Sequence, residues 1–390
     1  MKTFLQKKLL PLLLVLSMVL LGGTFLSIAP PASEDGASAA LPDPTLTPTP
    51  PPTPTPEQTP VPTPEATPEP TPEPTPEPQP EYFTLNFVGD CTFASVPFYK
   101  GTPYAYEKVI GSNYAYPFAK TLDYFADDDF TMANLECCLT DATKAVDKTF
   151  TFKADESYAK ILSEGSVEFV TLANNHILDY GEEGVADTKA ALDSEGIAYA
   201  GRDEWTIYET ESGLKIGIYA VSFGSVKQIN EGIAAVKEAG AEFVIAALHW
   251  GDEGSYDPNA EQIKQGHAAI DAGADFVYGS HPHTLQPIEE YNGHYIYYSM
   301  GNWSFGGNTN PRDKDTFILR MTVERAMDGS ISIVARDHIP CACSGLVNSN
   351  NYQPIVYEVD SAEYLRTVSK LDGSFTGSNL TIGYSYSNNE

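Results

Sequence analysis

Four of the seven histidines sit in three short polar runs: Asn174-Asn175-His176, His249-Trp250-Gly251-Asp252-Glu253 and Ser280-His281-Pro282-His283. Elsewhere Asp90 follows Gly89, Glu136 closes Asn134-Leu135-Glu136, and Asn302 follows Gly301. Imidazole, carboxylate and amide oxygen together suit zinc, manganese or iron, whereas calcium takes oxygen ligands alone. Side chains of these types can ligate a metal or move a proton. Each run alone has an ordinary reading. Asp90 could be a turn or helix cap, Glu136 a solvated carboxylate, and the Asn-Asn-His run a loop with local hydrogen bonds. His249 beside Trp250 could be a satisfied core histidine. The His-x-His pair is more specific, because residues two apart in extended backbone project the same way.

The elements around these runs follow from periodicity. Strands are expected at Phe83–Val88, Phe130–Ala133, Val167–Ala173, Leu214–Ser222, Phe243–Leu248 and Phe276–Gly279. Helices are expected at Tyr116–Phe125, Ser157–Ser163, Glu182–Ser194, Ile233–Ala239 and Ala260–Ala272. Later the pattern changes to consecutive strands at 285–289, 294–299, 315–324 and 331–339, with a hairpin turn at Met327-Asp328-Gly329. The coarse architecture is therefore α/β, with mixed and antiparallel strands towards its end. The polar runs follow the strands, and in open α/β sheets ligands bind beyond the carboxyl ends of strands. His267, His294 and His338 fall within elements and read as structural or surface residues.

Of 390 residues, 1–29 form a basic start and an apolar run, the pattern of a signal peptide or an N-terminal membrane anchor. Residues 30–81 form a Pro/Thr/Glu-rich linker, in which 20 of the 30 prolines fall between Pro30 and Pro80. Such proline density favours an extended, disordered spacer. The globular domain is expected at 82–340, with a C-terminal extension at 341–390 that packs in part and ends in a disordered tail. The net charge is −30, and residues 81–390 carry 20 basic against 45 acidic residues. No basic cluster interrupts that surface, which excludes nucleic acid as a partner. An anionic substrate would need a local positive charge that the side chains do not obviously supply. The five cysteines include two close pairs, Cys137-Cys138 and Cys341-x-Cys343, in neither a zinc-ribbon spacing nor a deducible disulfide pattern. Phosphate-binding-loop, nucleophile-elbow and dinucleotide-binding signatures are missing.

Taken in order, Gly89-Asp90, Asn134-Leu135-Glu136, Asn174-Asn175-His176, His249-Trp250-Gly251-x-Glu253, Gly279-Ser280-His281-Pro282-His283 and Ser299-x-Gly301-Asn302-Trp303 resemble the CapA family of poly-γ-glutamate capsule synthesis proteins. That family lies within the calcineurin-like metallophosphoesterases. The resemblance implies a four-layer α/β/β/α sandwich holding one or two divalent ions. It implies Asp90, Glu136, Asn175, His249, His281 and His283 as metal ligands and His176 as the catalytic proton donor. Asn134, Asn174, Glu253 and Asn302 would bind substrate or support the ligands. The sequence departs from the superfamily at Thr92, where the first motif usually has a histidine.

Two functions follow from the resemblance. One is a metal-dependent hydrolase or transferase acting on an anionic envelope polymer such as poly-γ-glutamate. The other is a non-catalytic accessory protein that binds or guides the polymer. Either would be exported, secreted or membrane-anchored, and near capsule-synthesis membrane proteins.

Overall fold

The computed structural model describes Pro51 and residues 79–381. The expected leader at 1–29, nearly all of the linker and the tail at 382–390 lie outside the described residues. In chain order the strands are β1 (Glu81–Thr92), β2 (Phe130–Leu135), β3 (Cys138–Leu139), β4 (Lys153–Ala154), β5 (Phe169–Thr171), β6 (Ala198–Ala200), β7 (Glu204–Glu209), β8 (Lys215–Ser222), β9 (Phe243–His249), β10 (Phe276–Ser280), β11 (Ile288–Tyr291), β12 (His294–Tyr297), β13 (Asn302–Phe305), β14 (Asp315–Arg325), β15 (Ile331–Ala342) and β16 (Ile355–Val356). The helices are α1 (Tyr106–Ile110), α2 (Ala159–Glu164), α3 (Gly181–Glu195), α4 (Val226–Glu238), α5 (Ala260–Ala272) and α6 (Ala362–Leu371). Among the described residues no helix is long and apolar enough to cross a membrane.

One eight-stranded sheet runs β16-β15-β14-β1-β2-β5-β6, with β13 also paired to β1. Its strands β1, β2, β5 and β6 are parallel, while β14, β15 and β16 are antiparallel. A six-stranded sheet runs β11-β12-β10-β9-β8-β7, parallel except at its two edges. The expected change from parallel to antiparallel strands is therefore present, and so is the Ala326–Ser330 turn between β14 and β15.

The two sheets share a core. Phe83, Leu85, Phe87, Phe130, Met132 and Phe169 from one sheet cluster with Ile216, Ile218, Phe243, Ile245, Phe276 and Tyr278 of the other. Strand β9 shows the logic: Phe243, Ile245 and Ala247 face the inter-sheet core, while Val244, Ala246 and Leu248 pack outward with Ile229, Ile233 and Val236 of α4 and Ile270 of α5. A strand buried on both faces must read as a continuous apolar run. On the outer face of the larger sheet, Val88, Ala133 and Val170 pack with Ile161 and Leu162 of α2 and Val185 and Leu192 of α3. Helices thus cover the outer faces of both sheets.

Several expectations need correction. Tyr116–Phe125 is not a helix; turns carry most of it and only Leu122–Tyr124 forms a 3₁₀ turn. Pro117 lacks the N–H a helix needs and restricts the residue before it. Helix α4 starts at Val226, well before Ile233, because Ser225 and Gln228 form a reciprocal capping box. The strand expected at 285–289 lies at Ile288–Tyr291, and β7, β13 and α6 were not foreseen. Strand β15 continues to Ala342, past the expected boundary at residue 340. All five cysteines are buried free thiols, with no disulfide between them.

One glycine lets the strands reach the site. A Cβ on Gly89 would lie 2.0 Å from the carbonyl oxygen of Gly301, to which the Asp90 N–H donates at 2.8 Å. That approach sets Asp90 beside Asn302 in the β1–β13 register. Gly89→Ala is expected to cost at least about 1–3 kcal/mol, the usual penalty for overpacking. A lower urea midpoint at unchanged slope would register it, and an unaltered midpoint would refute the close-packing argument.

Candidate metal centre

The polar runs converge. Asp90 lies in β1, Glu136 one residue beyond β2, His249 at the last position of β9, and His281 and His283 just beyond β10. These are carboxyl ends of parallel strands from both sheets, so the two sheets present their ligand-bearing ends to each other. Three overlapping trios have donor atoms within 4.8 Å of one another: Glu136, His249 and His281; Asp90, Glu136 and His283; and Glu253, His281 and His283. Glu253, expected only to support ligands or bind substrate, is thus placed to be a ligand itself.

Glu136 is fully buried and neither carboxylate oxygen has a hydrogen-bond partner. The sequence alone reads it as solvated, whereas the folded chain encloses it completely. A buried carboxylate without hydrogen bonds is costly, so it calls for a cation or a proton. His249 Nε2 lies 3.6 Å from Glu136 Oε1, and His283 Nε2 lies 3.9 Å from the same atom. His283 Nδ1 lies 3.2 Å from Asp90 Oδ2. Two donors each about 2.1 Å from one ion stand about 3–3.5 Å apart, so these separations need little adjustment.

The electrostatic surroundings point the same way. Burial pushes His249 well below the usual imidazole value, with the neighbouring His281 adding to the effect. Burial likewise lowers His281 to about 3, so both are neutral donors. Burial alone would also lower His283, but Glu136 and Asp90 outweigh it and raise the ring to about 10. Burial raises Glu136 well above the carboxylate range, against the attraction of His283. The carboxylates therefore draw positive charge onto whatever group lies between them.

Partners orient the donors. Ser280 Oγ holds His249 Nδ1 at 2.9 Å, which leaves Nε2 facing Asn175 Oδ1 at 2.9 Å and Glu136. Fixing the far ring nitrogen is how metal-binding histidines are commonly aligned. Asn134 donates to Asp90 Oδ1 at 2.9 Å, Asn174 donates to Asn134 Oδ1 at 3.1 Å, and Asn174 Oδ1 accepts from the His176 N–H at 3.0 Å. Asn302 brackets His283, with Oδ1 2.9 Å from Nδ1 and its amide donating to the His283 carbonyl. His281 and His283 have φ of 98° and 58°, so the pair sits on strained bends, not in the extended backbone expected. Thr92 is fully buried and its hydroxyl has no partner.

His176 belongs to none of the three trios. Its Nδ1 lies 2.6 Å from Asp179 Oδ2, and Asp179 also accepts from the Phe152 N–H. Lys148 reaches Asp179 Oδ1 at 3.1 Å and the Asn175 carbonyl at 2.7 Å. Burial lowers His176, and Asp179 partly offsets it. Asp179 and Lys148 were not singled out from the sequence, and Ser280 stood in a quoted motif without a role. Asp179 had a signal, a carboxylate three residues after His176, whereas Lys148 sits in an irregular loop with no pattern to mark it. Lys148 also brings the site a positive charge that the sequence did not obviously supply.

An α/β protein with a buried histidine–carboxylate centre between two sheets is the class this geometry defines. A family model for bacterial capsule synthesis protein PGA_cap matches residues 84–306, and the chain belongs to that family. It is 32% identical over 219 residues to the PGA biosynthesis protein CapA of Bacillus subtilis, a match covering 48% of this chain and 57% of that protein. It is 28% identical over 236 residues to the capsule biosynthesis protein CapA of Bacillus anthracis, covering 53% and 57% respectively. A probable polyglutamine synthesis accessory protein of Mycobacterium tuberculosis is 26% identical over 208 residues, covering 45% and 55%. The chain thus spans little more than half the length of these curated relatives. Among solved structures, the NAD nucleotidase of Haemophilus influenzae aligns at 13% identity with a TM-score of 0.41, covering 76% of this chain and 56% of that one. A purple acid phosphatase from yellow lupin aligns at 11% identity with a TM-score of 0.33, covering 66% and 53%.

Proposed function

We propose that this protein is an exported, metal-dependent hydrolase or transferase acting on an anionic envelope polymer such as poly-γ-glutamate. In this reading the fold is the four-layer α/β/β/α sandwich of metallophosphatases. One observation carries the metal reading: Glu136, fully buried with both oxygens unpartnered, faces histidine donors on the opposite sheet. Asp90, Glu136, Asn175, His249, His281 and His283 would hold one or two divalent ions, with Glu253 as a further ligand. Such an ion supplies charge to polarise a phosphoryl or carbonyl oxygen and to acidify a water.

The remaining roles belong to the protein's own groups. Asp179 holds His176 Nδ1, so proton movement falls to Nε2. Lys148 Nζ pairs with Asp179 Oδ1 at 3.1 Å and so steadies the carboxylate that holds the His176 ring. Because Lys148 also binds the Asn175 carbonyl, it ties the proton-moving pair to the ligand shell.

The test separates His176 from the ligands. His176→Ala is expected to keep bound zinc or manganese and to lower turnover of phosphoesters or poly-γ-glutamate by roughly 10²–10⁴. His281→Ala should lose metal and turnover together, read by elemental analysis beside the assay. Equal metal loss in both variants would end the proton-transfer role of His176. The accessory reading draws on Thr92, which stands where the superfamily usually has a histidine. Full metal content without turnover on either substrate would favour it.

A further inference from the structure

The loop that carries Glu253 is not held by the strand ends alone. Its Gly254 N–H donates to the Pro282 carbonyl at 2.7 Å, which links it directly to the His281-Pro282-His283 bend. Its other side is bound by residues that follow α6, beyond the 84–306 span of the family match. The Leu380 N–H donates to the Gly254 carbonyl at 2.9 Å. Asn379 Oδ1 accepts from the Tyr256 N–H at 2.9 Å, and its amide donates to Ser255 Oγ at 3.4 Å. The Phe375 ring packs 4.8 Å from that of Tyr256. Helix α6 anchors this segment through Lys370, which pairs with Asp313 and Asp315 and lies 5.0 Å over the Tyr256 ring.

We infer that residues 375–381 form a clasp that positions Glu253 against His281 and His283, with Asn379 and the Leu380 N–H as its positioning groups. Glu253 is a side chain on a loop with left-handed glycines on both sides, Gly251 at φ 84° and Gly254 at φ 75°. Glycines give that backbone freedom which must be removed if a carboxylate is to stay within ligand distance. The bond to Pro282 fixes the loop from the histidine side, and the clasp fixes it from the opposite side. Asn379 bonds Tyr256 and Ser255 and the Leu380 N–H bonds Gly254, so each would act on Glu253 through its loop.

The inference rests on the metal reading above, and the experiment keeps the two apart. Manganese and, separately, zinc would be titrated calorimetrically into the full chain and into Asn379→Ala, Leu380→Pro, Glu253→Gln and the Asn379→Ala/Glu253→Gln double variant. Leu380→Pro removes the N–H, and Asn379→Ala trims an exposed side chain, so a folding failure in one leaves the other usable. Each clasp variant is expected to weaken the ion held by Glu253 by about 10-fold, the lower end of losses seen when support for a ligand is removed. The double variant should bind no more weakly than Glu253→Gln alone, because a clasp acting through Glu253 has nothing left to position. Multiplied losses in the double variant, or clasp variants with lowered melting temperature and unchanged affinity, would overturn the clasp. A well-folded parent that binds neither ion would sink the metal reading and the clasp together, whereas unchanged binding in the clasp variants sinks the clasp alone.

Discussion

Glu136→Gln is expected to raise the melting temperature of the metal-free protein and to abolish most of the rise that zinc or manganese produces. The parent buries a carboxylate with both oxygens unpartnered, and burial raises its pKa well above the carboxylate range. An amide of the same shape removes that electrostatic cost, so metal-free folding should gain. Two of the three donor trios use Glu136, so metal affinity should fall by at least about 100-fold, the upper limit seen for outer-shell changes. An ion at about 100 times its Kd stabilises the folded state by about 2.7 kcal/mol, and that increment should largely vanish. Differential scanning calorimetry with and without the ion reads both signs. A variant that keeps the parent's metal-induced shift would remove Glu136 from the ligand set.

A second large effect lies away from the centre. Asp315 accepts a two-pronged contact from Arg366 at 2.7 and 2.6 Å, a bond from Lys370 at 2.7 Å and one from the Tyr357 hydroxyl at 2.9 Å. Lys370 is only 2% exposed, so Asp315→Ala would leave a buried ammonium with Asp313 as its remaining carboxylate. Breaking one side of such a pair costs about 3–5 kcal/mol, and urea midpoints should show a loss of that size at neutral pH. Burial alone would raise the Asp315 pKa, but Arg366 and Lys370 outweigh it and hold it below the usual value. A depressed folded pKa gives stability that is present above the unfolded value, near about 3.9, and is lost as pH falls through the folded one. The gap between parent and variant should therefore hold from about pH 5 to 8 and close below about pH 4. A gap independent of pH would assign the loss to packing instead.

Much of this architecture was readable where a signal is local. The Phe243–Leu248 run announces a doubly buried strand, and His249 follows as its last residue. Helix α5 lies where periodicity placed it, Ala260–Ala272, and in the structure Asn259 caps its start and Gly273 its end. Asn259 also forms a capping box with Gln262, as Ser225 does with Gln228 in α4, where the start was nevertheless misplaced. What stayed hidden depends on distant parts of the chain. The burial of Glu136 follows from the second sheet closing over it, which no window around residue 136 contains. Lys148 meets His176 through a loop without periodicity, and Asn379 meets Tyr256 across 123 residues. The His281–His283 pair was recognised by spacing, yet its bent backbone follows from the packing around it.

The five thiols have a bearing on how the molecule can be followed in solution. Burial holds Cys138 up at about 11 and Cys343 at about 12, and pushes Cys91, Cys137 and Cys341 well above the usual thiol value. Alkylating reagents attack the thiolate, and the native fold supplies almost none at neutral pH. Three of the five, Cys91, Cys137 and Cys341, are packed in the cluster between the larger sheet and its helices. Modification of those positions therefore counts molecules whose helical layer has lifted from the sheet, and its rate is a clock for that opening.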